Sequence, residues 1–197
     1  MKPLSTDGLE ILVLSDIWST RQILNIARSL PRESFHRKFD IGLGSMHDTI
    51  THMVSTMRRW TDRLAGREPR PMLHAVPEFP HVGGQNVDRS PDELLRLHEE
   101  AGADLLATLR HLAKDGRLGS MLNLEWPGEG GEVKVYTFTR AAVVVHVGTH
   151  GYHHRAQLLN MLRQLGAPVP GVTKGHPELS AVDWQAEAEC PPRIKGK

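Results

Sequence analysis

His146-Val147-Gly148-Thr149-His150-Gly151-Tyr152-His153-His154-Arg155 packs four of the chain's twelve histidines into nine residues. His146, His150 and His154 fall four apart. On an α-helix such residues stack on one face, so two neighbouring imidazoles of this row can grip one metal ion from one side. Imidazole is neutral near pH 7 and offers a ring nitrogen, which makes it the commonest metal ligand. All three cannot share one ion comfortably, because His146 and His154 lie ~12 Å apart along the axis. The pair His150/His154 is favoured, with Gly151 expected to clear room beside the ion. His146 then lines the cavity, and His153 is less central.

Working outward, the histidine row belongs to a helix from about Thr139 to Gly166. Ala142, Val143, Val145, His146, His150, His153, Leu158, Leu159 and Leu162 give it a wide buried face, and Gly166 with Pro168 marks its end. Before it, Met121–Trp126 and Val133–Phe138 flank Gly128-Glu129-Gly130-Gly131 and read as a short, irregular hairpin. Three further amphipathic helices precede the hairpin. The first spans about Leu9 to Leu30 and stops at Pro31. The second begins at Ser45, with Asp48 in its first turn, and ends at Gly66. The third begins at Ser90-Pro91-Asp92-Glu93 and stops at Asp115-Gly116. Residues 67–90 carry Pro69, Pro71, Pro77, Pro80, Gly83 and Gly84, a long connection expected to serve as a lid or wall. This pattern predicts an all-α, four-helix bundle with a short β-hairpin before the last helix. Residues 1–189 read as one domain and 190–197 as a flexible tail. Metal sites in bundles are built from side chains on facing helices.

The facing ligand must come from another helix. His47 and His52 are five apart, hence ~140° apart around the axis, and only one can point at the histidine row. His52 sits among Ile50, Met53 and Val54 and is the inward residue. His47 stands in the first turn beside Asp48, where solvent or capping roles are easy. A lone histidine on an apolar face is more often a hydrogen-bonded core residue. A triad of His52, His150 and His154 without an ion, however, carries desolvation and mutual repulsion once protonated. Met46, Met53 and Met57 read as core residues and not as a copper site. Arg37-Lys38 and Arg58-Arg59 read as solvated charges.

The bulk properties exclude several classes. The chain has 197 residues, 39% hydrophobic and 24% charged, as an ordinary soluble domain does. A net charge of +1 leaves no basic footprint for nucleic acid. No run approaches the ~20 apolar residues that span a bilayer, and Met1-Lys2-Pro3-Leu4 opens no secretory signal. The single cysteine, Cys190, excludes an intrachain disulfide and a cysteine-built zinc site. A cytoplasmic location, a small-molecule substrate, and no nucleic-acid or membrane partner are expected.

His146–His154 continued by Arg155-Ala156-Gln157, and then Leu162-Arg163-Gln164-Leu165-Gly166, resembles the last bundle helix of the DinB family of metal-dependent proteins. Ser45-Met46-His47-Asp48-Thr49-Ile50-Thr51-His52 resembles that family's second helix, which ends in a ligand histidine. Trp18 and Tyr136-Thr137-Phe138 are also similar to family elements. Thr149 and Ala156 depart from the usual Asn and Gly. The resemblance implies the metal triad His52, His150 and His154, the same set that geometry selects. It further implies a divalent ion, zinc or nickel, with a vacant position, since a structural zinc site is closed by four protein ligands. It implies a low-molecular-weight thiol held as thiolate on that metal and transferred to an electrophilic small molecule, with His146 or His47 as proton acceptor, in a homodimer. A metal-water hydrolase and a non-catalytic metal-binding stress or interaction protein are the alternatives. A fourth ligand such as Glu125 or Asp48 would favour a structural role.

Overall fold

Each long helix begins where a small polar side chain satisfies amides that the first turn leaves free. In the computed structural model, which describes residues 7–77, 82–167, 172–173, 176–177 and 179–189, α1 (Gly8–Ala27) starts at Asp7, whose carboxylate accepts the Glu10 amide. A one-turn α2 (Arg32–His36) lies in the connector. α3 (Met46–Leu64) starts at Ser45, which accepts the Asp48 amide. α4 (Pro91–Lys114) has a reciprocal Ser90/Glu93 cap with proline in its first turn. α5 (Arg140–Gln164) starts at Thr139. Between α4 and α5, β1 (Met121–Pro127) and β2 (Val133–Thr139) pair antiparallel without a break, from Met121↔Thr139 to Pro127↔Val133. The hairpin is therefore regular, where the sequence suggested irregularity; the glycines sit in its turn and not in its strands. A minimal pair, β3 (Val172–Thr173) and β4 (His176–Pro177), precedes α6 (Ala181–Ala188), which lays the buried Trp184 on the bundle beside α1. Cys190 and the tail expected at 190–197 lie outside the described residues.

α5 packs against both α1 and α3, and α4 packs against the same two helices from the other side. The apolar interior falls into two clusters. One gathers Ile23, Leu24, Ile50, Val54, Leu158 and Leu162; the other gathers Val13, Met57, Leu105, Leu109, Val143 and Val147. Burying each such side chain contributes ~1.5–3 kcal/mol. Met46, Met53 and Met57 are core residues, as their spacing predicted. Between the two clusters runs a polar waist: Asp16, Ser19 and Thr20 from α1, His98 from α4 and Arg155 from α5, all buried.

The buried surface of α5 differs from the expected one. Val144, Val147, Gly148, Gly151, Arg155 and Met161 are buried, whereas Ala142, Val145, His146 and His153 are exposed. A helix wedged between two neighbours buries parts of two adjacent faces, so no single stripe describes it. Glycines permit the closest approach. A Cβ on Gly148 would lie 2.6 Å from Leu12 Cγ, and one on Gly151 would overlap the Asp16 carboxylate. Gly151 thus makes room for α1, on the side away from the histidines, and not for an ion. No helix among the described residues is long and apolar enough to cross a membrane.

Candidate metal centre

α3 presents His52 and α5 presents His150 and His154 to a common point. His150 Nε2 lies 3.0 Å from His52 Nε2 and 3.2 Å from His154 Nε2. The donor atoms of the three rings all fall within 4.8 Å of one another. Two nitrogens bound to one tetrahedral ion at ~2.0–2.1 Å are separated by ~3.3 Å, so these spacings fit a shared ion. No carboxylate or cysteine joins this set among the described residues. Asp48 is engaged elsewhere, accepting from Lys38 Nζ at 2.6 Å and facing His47 Nδ1 at 3.0 Å. Glu125 sits on the exposed face of β1.

The tautomer of His154 follows from its other nitrogen. His154 Nδ1 lies 2.9 Å from Gln157 Oε1, an acceptor only, so Nδ1 carries the proton and Nε2 keeps its lone pair for the ion. Such outer partners orient metal-binding histidines and raise their basicity. Gln157 in turn meets His153 Nε2 at 3.0 Å through its amide nitrogen. Gly42 backs it from the connector: the residue has φ +52°, and a Cβ there would collide with the Gln157 amide.

Burial and neighbouring imidazoles disfavour protonation of the cluster. Desolvation first, then His154 and His74, push His52 down to about 4. Desolvation, then His154 and His52, push His150 down to about 3. Desolvation also lowers His154, with the Gln157 hydrogen bond opposing. Neutral imidazoles at pH 7 are the form that ligates metal.

His146, the expected proton acceptor, is exposed beside the cluster, its ring centroid 5.7 Å from that of His150 and edge-on to Trp60 at 5.4 Å. His47 does not reach the triad. It is buried, stacked on His36 at 4.6 Å, and its Nε2 accepts the Arg89 amide at 3.3 Å. Its expected solvent-facing role is therefore wrong, because the 67–90 connection folds over the first turn of α3. The same connection brings in His74, which no sequence signal marked. Its ring lies 5.4 Å from His52, and its buried Nδ1 has no hydrogen-bond partner. Arg59 is likewise no solvated charge, since it donates to the carbonyls of Arg70 and Val82 and pins that connection in place. Arg155, adjacent to His154, forms a buried ion pair with Asp16 and reaches Thr20 Oγ1 at 3.4 Å. Burial pushes the Asp16 carboxyl up, and the guanidinium opposes that shift. His52 also lines a cavity of about 330 Å³ between α3, β1 and the 67–90 connection, with Thr56, Trp60, Met72, His74 and Trp126 among its walls.

Residues 6–186 match the model of the DinB family. Protein DinB of Bacillus subtilis is 23% identical over 152 residues, covering 77% of this chain and 82% of that protein. The crystal structure of a DinB-like protein from Bacillus cereus superimposes with a TM-score of 0.57 at 18% identity, covering 80% of this chain and 91% of that one, a likeness of fold. A bundle with a hairpin before its fourth long helix, a histidine cluster that could hold a metal ion, and a family match over nearly the whole length agree: the chain belongs to the DinB family.

Proposed function

We propose that this protein is a metal-dependent enzyme in which His52, His150 and His154 hold one divalent ion, zinc or nickel, and that it transfers a low-molecular-weight thiol to an electrophilic small molecule. One observation carries the reading: three imidazole nitrogens from two helices converge within 3.0–3.2 Å contacts, with no fourth protein donor in the set among the described residues. A three-ligand site keeps a coordination position for an exogenous group, whereas a structural site closes with four. An ion held there supplies a positive charge that favours the deprotonated form of a thiol.

The protein's own groups do the rest. Gln157 fixes the ligating tautomer of His154. The exposed ring of His146 accepts the thiol proton and passes it to water. The cavity beside His52 seats the electrophile. In the net reaction a carbon–sulfur bond forms, the electrophile's leaving group departs, and the thiol proton is released.

The test combines metal content with thiol consumption. Protein purified without a histidine tag and repleted with zinc or nickel is expected to hold about one ion per chain, as set by a single three-histidine site. Monochlorobimane, incubated with glutathione, bacillithiol or mycothiol, is expected to consume at least one thiol in a metal-dependent way. Less than about one ion per three chains after repletion contradicts the site. A full ion content with no metal-dependent loss of any thiol contradicts the transfer.

A further inference from the structure

The cavity beside the histidine cluster has an uneven lining. Along α3, His52, Thr56, Trp60 and Arg63 follow one another at helical spacing and all face it, with Arg59 between. Trp126 of β1 supplies a second indole to the same wall. The polar element among these apolar surfaces is cationic. The Arg63 guanidinium lies 5.1 Å over the Trp60 ring and makes only a long, 3.4 Å contact to the Arg59 carbonyl.

Among the described residues neither Arg59 nor Arg63 has a carboxylate within 4 Å. Of the nearby acids, Asp62 and Asp104 both pair with Arg67 and Arg70, and Glu68 acts on Arg59 and Arg63 only from beyond ion-pair distance. Burial pushes both Arg59 and Arg63 below the ordinary guanidinium range, as expected for partly dehydrated cations. A half-buried guanidinium stacked on an indole, with no carboxylate in direct contact, is an arrangement that can capture one, because its planar fork matches the two oxygens. Arg59 is tied to the connection through its Nη1 and adds its charge, while Arg63, held by no comparable pair of bonds, serves as the anchor.

We infer that the cavity takes an amphipathic organic anion: an aromatic or alkyl body against Trp60 and Trp126, a carboxylate on Arg63, and the opposite end at the three histidines. The inference rests on the proposed reading of those histidines as the reaction centre, and it names the substrate class that this centre serves. Arg59 and Arg63 are seven and eleven residues from His52, ~10 and ~16 Å along the helix axis. With the reach of an arginine side chain, the carboxylate and the reacting carbon of the substrate are separated by roughly 10 Å. An uncharged electrophile or a short acid fills only half of this lining.

The test uses chelator-treated protein, so that a carboxylate cannot gain affinity by binding an ion. Tryptophan fluorescence is titrated with 4-phenylbutyrate, 4-phenylbutyramide and butyrate. The acid is expected to bind about tenfold more tightly than the amide, the size of one charge-assisted pair, and butyrate to bind more weakly than either aryl compound. Arg63→Gln is expected to bring the acid down to the amide while leaving amide affinity unchanged, which also reports that the variant is folded. Equal affinity for acid and amide, an unchanged preference in Arg63→Gln, no binding of either aryl compound, or a preference that emerges only after metal is restored would each overturn the inference. Metal content is measured separately on repleted protein. Loss of the metal site and loss of the carboxylate preference are therefore distinct results.

Discussion

His154 and Arg155 are consecutive residues at the waist of one helix, and they open to opposite sides. Arg155 turns to α1 and meets Asp16, a cation on an anion, with Thr20 alongside. His154 turns to α3 and meets two more imidazoles, ring nitrogen against ring nitrogen. Both are buried. One contact matches a cation to an anion; the other gathers three imidazole nitrogens that could hold a cation. Burial alone does not separate a latch that holds helices together from a site that receives something. The balance of donors and acceptors does.

That contrast can be broken in four ways. The largest effect belongs to His150→Ala, which should abolish stoichiometric zinc binding and metal-dependent thiol consumption. Its metal-free form should resist urea about as well as the metal-free parent, since the lost imidazole is only half-buried and meets other imidazoles, not an ion-pair partner. An ion still bound one per chain in elemental analysis would refute the assignment of His150. On the latch side, Arg155→Met should lose about 3–5 kcal/mol, because Asp16 is left buried and unpaired. Adding Asp16→Leu should recover most of that loss, and zinc should bind in both variants. If the double variant unfolds as early as the single one, the pair is more than a latch.

Gln157→Leu should weaken zinc about 10–100-fold with little change in urea resistance, as a competition titration against a chelating dye would read. Acid sensitivity on the latch side is the most gradual effect, spread over more than about two pH units. His98 donates to the Ile17 carbonyl at 3.1 Å, and burial pushes it down to about 4. The unfolded chain takes up that proton first as pH falls. The stability is therefore fully present above ~6.5 and is lost progressively toward pH 4, at up to ~1.4 kcal/mol per pH unit. Metal-free His98→Gln should show a shallower decline across that window in urea midpoints measured at several pH values. An identical slope would mean that His98 already titrates normally in the fold.

The two sides also differ in how far the sequence revealed them. The cluster was legible because its members obey local rules: i,i+4 spacing for His150 and His154, and apolar neighbours around His52. The four long helices were legible through their apolar periodicity, two of them also through their caps at Ser45 and Ser90. The latch was not legible, since Asp16 and Arg155 are 139 residues apart and no periodicity links them. Gly151 was misread for the same reason, its partner being on α1 and not beside it in sequence. His74 and the seat of Arg59 depend on how an aperiodic, proline-broken connection folds over α3, which no helical or strand spacing encodes.

Gly42 bears directly on the proposed centre. The connector's backbone presses against the amide that orients His154, so a methyl group placed there would jostle a ligand from behind without replacing any imidazole. Under the proposed reading, variation far from the histidine row can in this way adjust cation choice in graded steps, while every coordinating atom stays the same.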